Sequence, residues 1–241
     1  MNSEILNGIV RVSSELYSFY GKRLSEVQKL VAKETASKSR AHNTIRWLIE
    51  QIGGEGFLDA LSECGIKVRT STLNAAGGCT ESFSFSAFDF NEVYSHSFEE
   101  SEFYKCSLPQ IIWFFIFQET EDNDPIFIKH FFWQLPEDDY IQAEKVYSMT
   151  RARLANGEVF ASSSDGRNRY KLPKIKDNPV FHVRNHGRDA LQTKRLPVPD
   201  KLTGRTDAPQ MSFWINATYL TRIIQGKMTP EEKKRFTRKE N

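Results

Sequence analysis

A chain of 241 residues, 12% of them aromatic with 18 Phe and 4 Trp, can bury a substantial core and does not belong to the disordered class. Its formal charge of +2 is too small to argue for a polyanionic partner by itself. Three cysteines without a CxxC pair or a secretory segment argue against a disulfide framework or a zinc site, and point to a reducing, cytoplasmic compartment.

Taken in chain order, the first sixty residues read as helical. Leu6, Ile9, Val10, Leu16 and Phe19 can share one apolar stripe, and Leu24, Val27, Leu30 and Val31 another. Ile45, Leu48, Ile49 and Ile52 repeat that spacing before Gly53-Gly54 ends the helix. Gly65 to Ser71 reads as a short strand. In Glu81 to Phe90 the period becomes two, with Phe83, Phe85 and Ala87 alternating with Ser82, Ser84 and Ser86.

Ile111 to Phe117 is apolar on successive residues. That predicts a central strand covered on both sides, and the run is far too short to span a membrane. After the polar turn Glu121-Asp122-Asn123-Asp124-Pro125, Ile126 to Leu135 reads as its antiparallel partner. Pro136 introduces a helix from Glu137 to about Leu154, ended near Asn156-Gly157.

Beyond it, Val180 to Arg184 forms a short strand and Asn185 to Pro209 a long link, which could cross a ligand surface. Ser212 to Ile215 leads to Asn216, a cap for the helix carrying Tyr219, Leu220, Ile223 and Ile224. Thr229-Pro230-Glu231-Glu232 is a helix start signal, but the residues after it are almost all polar and predict a frayed basic tail over 227–241.

Charge is unevenly distributed. Glu81 to Lys145 holds fourteen acidic and three basic residues, whereas Tyr147 to Arg195 holds eleven basic and four acidic. Phosphate-facing charge is therefore expected in the carboxyl-terminal half, against the alternative of a solvated exterior with ordinary salt links.

Several segments together carry a resemblance: Lys38 to Arg46, Gly65 to Ser71, Glu81 to Phe88, Trp113 to Phe117, Phe127 to Trp133, Phe181 to His186 and Ser212 to Asn216. On these the chain resembles the MutH family, which comprises a mismatch-repair nicking endonuclease and related type II restriction endonucleases that recognise GATC. The likeness covers roughly residues 35–225. It is nearest to the second, non-cutting half of a two-domain restriction enzyme, with Ser212 to Asn216 and the Phe-rich middle its most specific parts.

The resemblance implies an α/β (mixed α+β) restriction-endonuclease-like fold, with a central mixed β-sheet flanked by helices. It further implies one DNA-binding domain over 1–226, with a helical lobe 1–62 and a sheet-containing lobe 63–226. The family's catalytic set is an Asp, a following Glu-X-Lys and a Glu in the preceding helix. Carried onto this chain, Glu-X-Lys becomes Lys67-Val68-Arg69, the helix Glu falls near Arg46 and the Asp near Ala60. Hydrolysis by metal ions needs convergent carboxylates, so no metal site and no catalysis by this chain alone are expected. Asp59 and Glu63 lie nearby but off the required spacing. Lys67 and Arg69 either hold DNA phosphate or pair with Asp59, Glu63 or Glu81.

The family reads sequence from a loop after a late strand. Its match here is Arg184, Asn185 and His186, continued by Gly187 and Arg188. Arg can donate twice to guanine and Asn can pair bidentately with adenine. Lys38, Arg40, Lys194, Arg195, Lys201 and Arg205, with Lys67 and Arg69, are candidate phosphate contacts, which position a duplex without reading it. The expected partners are double-stranded DNA and a catalytic MutH-like domain or subunit, or self-association on a palindromic site. Mg²⁺ would be needed only by that catalytic partner. Arg-Asn-His departs from the Arg-Pro-Lys of the nicking enzyme, which leaves the recognised site open. Two other functions stay open: a Mg²⁺-dependent endonuclease using displaced carboxylates, and a protein-interaction scaffold.

Overall fold

Apolar spacing of three and four residues builds the amino-terminal helices. The computed structural model describes residues 3–31, 39–162, 169–186 and 192–236. Helix α1 (Ser3–Leu16) buries Ile9, Val12 and Leu16. Leu6 and Val10, expected in that stripe, are exposed at 53% and 61%, because Val12 completes the buried face instead. α2 (Leu24–Leu30) buries Leu24 and Val27, and α3 (Arg40–Gly53) buries Ile45, Leu48 and Ile49. Gly54, at φ 100°, takes the left-handed backbone that ends α3. α4 (Phe57–Glu63) follows.

Next come β1 (Ile66–Leu73), β2 (Phe83–Ala87), α5 (Phe90–Ser95), β3 (Ile111–Gln118), β4 (Ile126–Trp133) and α6 (Tyr140–Ala155). The chain then runs through β5 (Phe160–Ala161), β6 (Arg169–Tyr170), β7 (Phe181–Asn185), β8 (Thr193–Arg195), β9 (Asp207–Pro209) and β10 (Met211–Ile215). It ends in α7 (Ala217–Gly226) and α8 (Pro230–Phe236).

The chain divides into two compact units, residues 1–81, 110–134 and 221–241 against 82–109 and 135–220. The resemblance implies a helical lobe 1–62 and a sheet-containing lobe 63–226, whereas each of these two units holds both helices and strands. In the first unit a three-stranded mixed sheet has the order β1-β3-β4, with β1 parallel and β4 antiparallel to β3. The central place of β3 explains its unbroken apolar run, since Ile112 through Phe117 are all at most 1% exposed. Trp113, Phe115 and Phe117 share one core with Ile66, Val68 and the apolar faces of α1 to α4.

The buried imidazole of His130 on β4 is part of that core's edge. Its Nδ1 lies 2.8 Å from the Tyr20 hydroxyl, which also accepts the His130 backbone N–H at 2.9 Å. Burial, then nearby Lys129, drives the imidazole down from 6.5 to about 4. An unfolded His takes its proton at the higher pH, so the unfolded chain binds more protons between these values. The fold therefore loses stability as pH falls through that window. For His130 the loss is on the order of 3 kcal/mol. Urea unfolding at neutral and acidic pH should show that loss, and His130→Gln should reduce the difference between the two conditions.

The carboxyl-terminal residues show a further difference from expectation. α8 begins with reciprocal capping, Thr229 N–H to Glu232 Oε2 at 2.7 Å and Glu232 N–H to Thr229 Oγ1 at 3.2 Å. Glu232 also meets Lys129 Nζ at 2.8 Å. These contacts hold the first turn of the segment expected to fray; residues 237–241 lie outside the described ones.

In the second unit β2, β10 and β7 form an antiparallel sheet in that order. Phe213 of β10 stacks on Phe103 at 4.2 Å and lies near Tyr147 of α6, so Met211, Phe213 and Ile215 face the core. Within the long link, β8 and β9 pair as an antiparallel hairpin. Only three residues per strand, with a proline in one, made this pairing invisible to a periodicity reading. Among the described residues no helix is long and apolar enough to cross a membrane.

Candidate functional site

Two groups of side chains bear on function, one in each unit. In the first unit Arg46 is exposed on α3 and Ala60 half-buried on α4, while Lys67 and Arg69 are half-buried on β1. Lys67 Nζ donates to Ser62 Oγ at 2.7 Å, so its contact is a hydroxyl and not the carboxylate of Asp59, Glu63 or Glu81. Arg69 Nη1 donates to the Val68 carbonyl at 3.2 Å. Burial, then Arg46, pushes the Arg69 guanidinium below its ordinary value. His42 is half-buried one turn before Arg46 on α3. Burial, then Arg69, then Arg46 lowers it from 6.5 to about 4.

Asp59 and Glu63 are exposed on one face of α4. Among the described residues no group of three His, Cys, Asp or Glu side chains could hold a metal ion. The cationic side chains at the degenerate positions are suited to binding anions. Arg40 is half-buried at the start of α3, and Lys38 lies outside the described residues.

In the second unit strand alternation puts His182 and Arg184 on one face of β7, with His186 just past its end, matched by Ser212 and Trp214 of β10 and Asn216 just past its end. Arg184 Cζ lies 5.4 Å from the Trp214 ring centroid, and Trp214 Nε1–H donates to the Arg184 carbonyl at 3.3 Å. The rings of His182 and His186 each lie 6.2 Å from Trp214. This is an exposed guanidinium braced on an indole. Asn185 falls on the opposite face of the strand, so the expected base-reading trio is divided.

Hydrogen bonds fix the tautomers. Ser212 Oγ has one proton and donates it to the Phe85 carbonyl at 3.0 Å. It therefore accepts from His186 Nδ1 at 2.8 Å, which in the neutral ring leaves Nε2 as the acceptor. Asn216 Nδ2 donates to the Asn178 carbonyl at 2.8 Å, so its Oδ1 accepts from His182 Nδ1 at 2.6 Å. Burial is the main reason that His182 sits below its ordinary value, despite that bond. His182 braces Trp214 as a neutral ring.

The loop after His186 has a closed stem. His186 N–H donates to the Gln210 carbonyl and Gln210 N–H to the Gln192 carbonyl, both at 2.9 Å. Arg188 lies outside the described residues. Lys194 and Arg195 are exposed on β8 and Lys201 on the following turn. Arg205 instead lies over Phe160 at 4.9 Å and pairs with Asp207 at 3.8 Å, an internal role that its sequence position did not reveal.

That turn is held by buried Asp200, whose carboxylate accepts the N–H groups of Val159, Phe160, Leu202 and Thr203 and the Thr203 hydroxyl, all at 2.9 to 3.1 Å. Sequence reasoning missed Asp200, Trp214 and His42. A lone acid in a Pro-bearing loop gives no signal, whereas Trp214 and His42 lie inside the segments Ser212 to Asn216 and Lys38 to Arg46, whose spacing does not reveal their contacts.

A curated protein matches over 194 residues at 26% identity: the type II restriction enzyme Sau3AI of Staphylococcus aureus. The chain is similar to a restriction endonuclease. The match covers 70% of this chain, which spans only 40% of that enzyme's length. No protein family model matches the chain. Its helices and its three-stranded mixed sheet accord with a restriction-endonuclease-like α+β fold.

Proposed function

We propose that this chain is a sequence-reading, double-stranded DNA-binding module of the MutH-like kind, without hydrolytic activity of its own. It acts as the effector domain or partner subunit of a type II restriction endonuclease. The observation that carries this reading is that Arg46, Ala60 and Lys67 stand where the resembling nucleases place metal-binding carboxylates, with Arg69 at the Lys of their Glu-X-Lys. Guanidinium groups supply no ligand to Mg²⁺, so a catalytic domain or subunit elsewhere holds the metal and cuts.

Arg184, braced on Trp214, is the side chain best placed to donate twice to guanine, with His186 Nε2 beside it as an acceptor for an amino group. Lys194, Arg195 and Lys201 supply phosphate contacts. Occupation of a GATC or related site by this module favours the active form of the catalytic partner, and the coupling acts equally in reverse. An endonuclease using displaced carboxylates finds less support, because Asp59 and Glu63 have no third metal ligand grouped with them among the described residues.

Incubation of pure protein with GATC-bearing supercoiled plasmid and Mg²⁺ tests the reading. The plasmid should stay intact while gel retardation without metal reveals binding. Nicking abolished by Asp59→Asn with Glu63→Gln would establish the endonuclease instead, and absence of retardation at low salt would leave a scaffold.

A further inference from the structure

Shortly before β7 the chain runs through residues 171–177, which carry Lys171, Lys174 and Lys176, all exposed. In the order β2-β10-β7 the last strand is an edge, and this segment lies along it: Val183 N–H donates to the Pro173 carbonyl at 2.8 Å. Leu172 and Pro173 are buried, whereas the lysines on either side of them are open to solvent. Arg184 is the residue after Val183, so the three lysines stand on backbone that borders the reading strand.

That backbone is tied at both ends. Lys171 N–H donates to the Val159 carbonyl at 2.8 Å. Further on, Lys174 N–H donates to Asp177 Oδ2 at 2.8 Å and Asp177 N–H to the Lys174 carbonyl at 2.9 Å, closing a single turn. Asn178 Oδ1 then accepts the N–H groups of Val180 and Phe181, both at 2.9 Å, and the Asn178 carbonyl accepts Asn216 Nδ2. Asn216 is also the residue that holds His182. The bonds that fix the start of β7 therefore fix the lysine-bearing segment as well.

Among the described residues none of the three ammonium groups pairs with a carboxylate, and Asp177, the one acid in the segment, accepts the Lys174 N–H. With exposed Arg184 they make a border of one sign. Hydrated ammonium groups on flexible stems are depleted in protein–protein interfaces, but they suit a phosphate backbone, which needs charge rather than a fixed fork of donors.

We propose that Lys171, Lys174 and Lys176 form a row of DNA phosphate contacts beside β7. The inference rests on the DNA-binding reading above and deepens it, adding backbone contacts from a segment other than β8. These contacts hold the duplex against β7 without reading it.

Fluorescence anisotropy over a range of salt concentrations tests it, with GATC and scrambled duplexes and the full chain. Neutralising all three together, by Lys171→Ala, Lys174→Ala and Lys176→Ala, should lower the slope of log affinity against log salt by about two to three. Both duplexes should lose affinity alike, leaving the preference between them unchanged. Arginine at the same three positions should keep the slope. Lys145→Ala should keep it too, because Lys145 is exposed on α6, which packs on the core face of the sheet. An unchanged slope in the triple alanine variant, with its melting temperature intact and the wild type still preferring GATC, would overturn the row and leave the reading module standing. A lowered slope with no wild-type preference would do the reverse, and absence of wild-type binding to either duplex would overturn both.

Discussion

Replacing Arg184 with Ala should weaken binding to a cognate duplex about 10- to 100-fold and flatten the preference for that site over a scrambled one. This corresponds to the 1–3 kcal/mol typical of a bidentate contact between Arg and a base. Arg184 is exposed at the edge of its sheet, so the fold should survive with only the loss of its contact to Trp214. Lys194→Ala supplies the contrast. A phosphate contact from β8 should weaken cognate and scrambled duplexes alike and reduce the salt slope by about one. Equal losses on both duplexes for Arg184→Ala would remove its reading role.

Asp200→Ala should destabilise the protein by about 3–4 kcal/mol, lowering its melting temperature by about 10 °C for a chain of this size. The substitution leaves four backbone N–H groups and one hydroxyl without their shared acceptor, two of those N–H groups being in buried surroundings. Burial by itself would raise the Asp200 carboxyl, but hydrogen bonds from Phe160, Thr203 and Val159 outweigh it and hold it below 3.8. Its contribution is therefore present above the unfolded value and lost as pH falls through the folded one. Asp200→Asn retains one acceptor oxygen and should lose less. Calorimetry of the three proteins at neutral pH checks the order, and an unchanged melting temperature in Asp200→Ala would contradict the assigned role.

The strands and helices that a sequence reveals best are those whose pattern is long relative to its period. β3 was legible because its apolar run fits a buried central strand, and β2 because Phe83 and Phe85 alternate with serines. The cap of α8 could be read from Thr229 and Glu232, but not that Lys129 would hold Glu232 from β4. Pairing between β8 and β9 depends on residues about fourteen positions apart in a basic, Pro-bearing link, where no periodicity can develop. At the sites, Arg184 was legible as a residue type in a familiar place, whereas its brace, Trp214, required knowing the strand register. His42 was hidden for another reason: it is lowered first by burial and then by Arg69, and both depend on elements distant in sequence.

Fluorescence anisotropy without metal decides whether this chain reads a DNA sequence. The probes are GATC and scrambled duplexes, unmethylated and adenine-methylated, at two salt concentrations. Binding should be tighter to one form of the site than to the scrambled duplex, with affinity falling steeply as salt rises. Equal, weak and salt-insensitive binding to all four duplexes would contradict this.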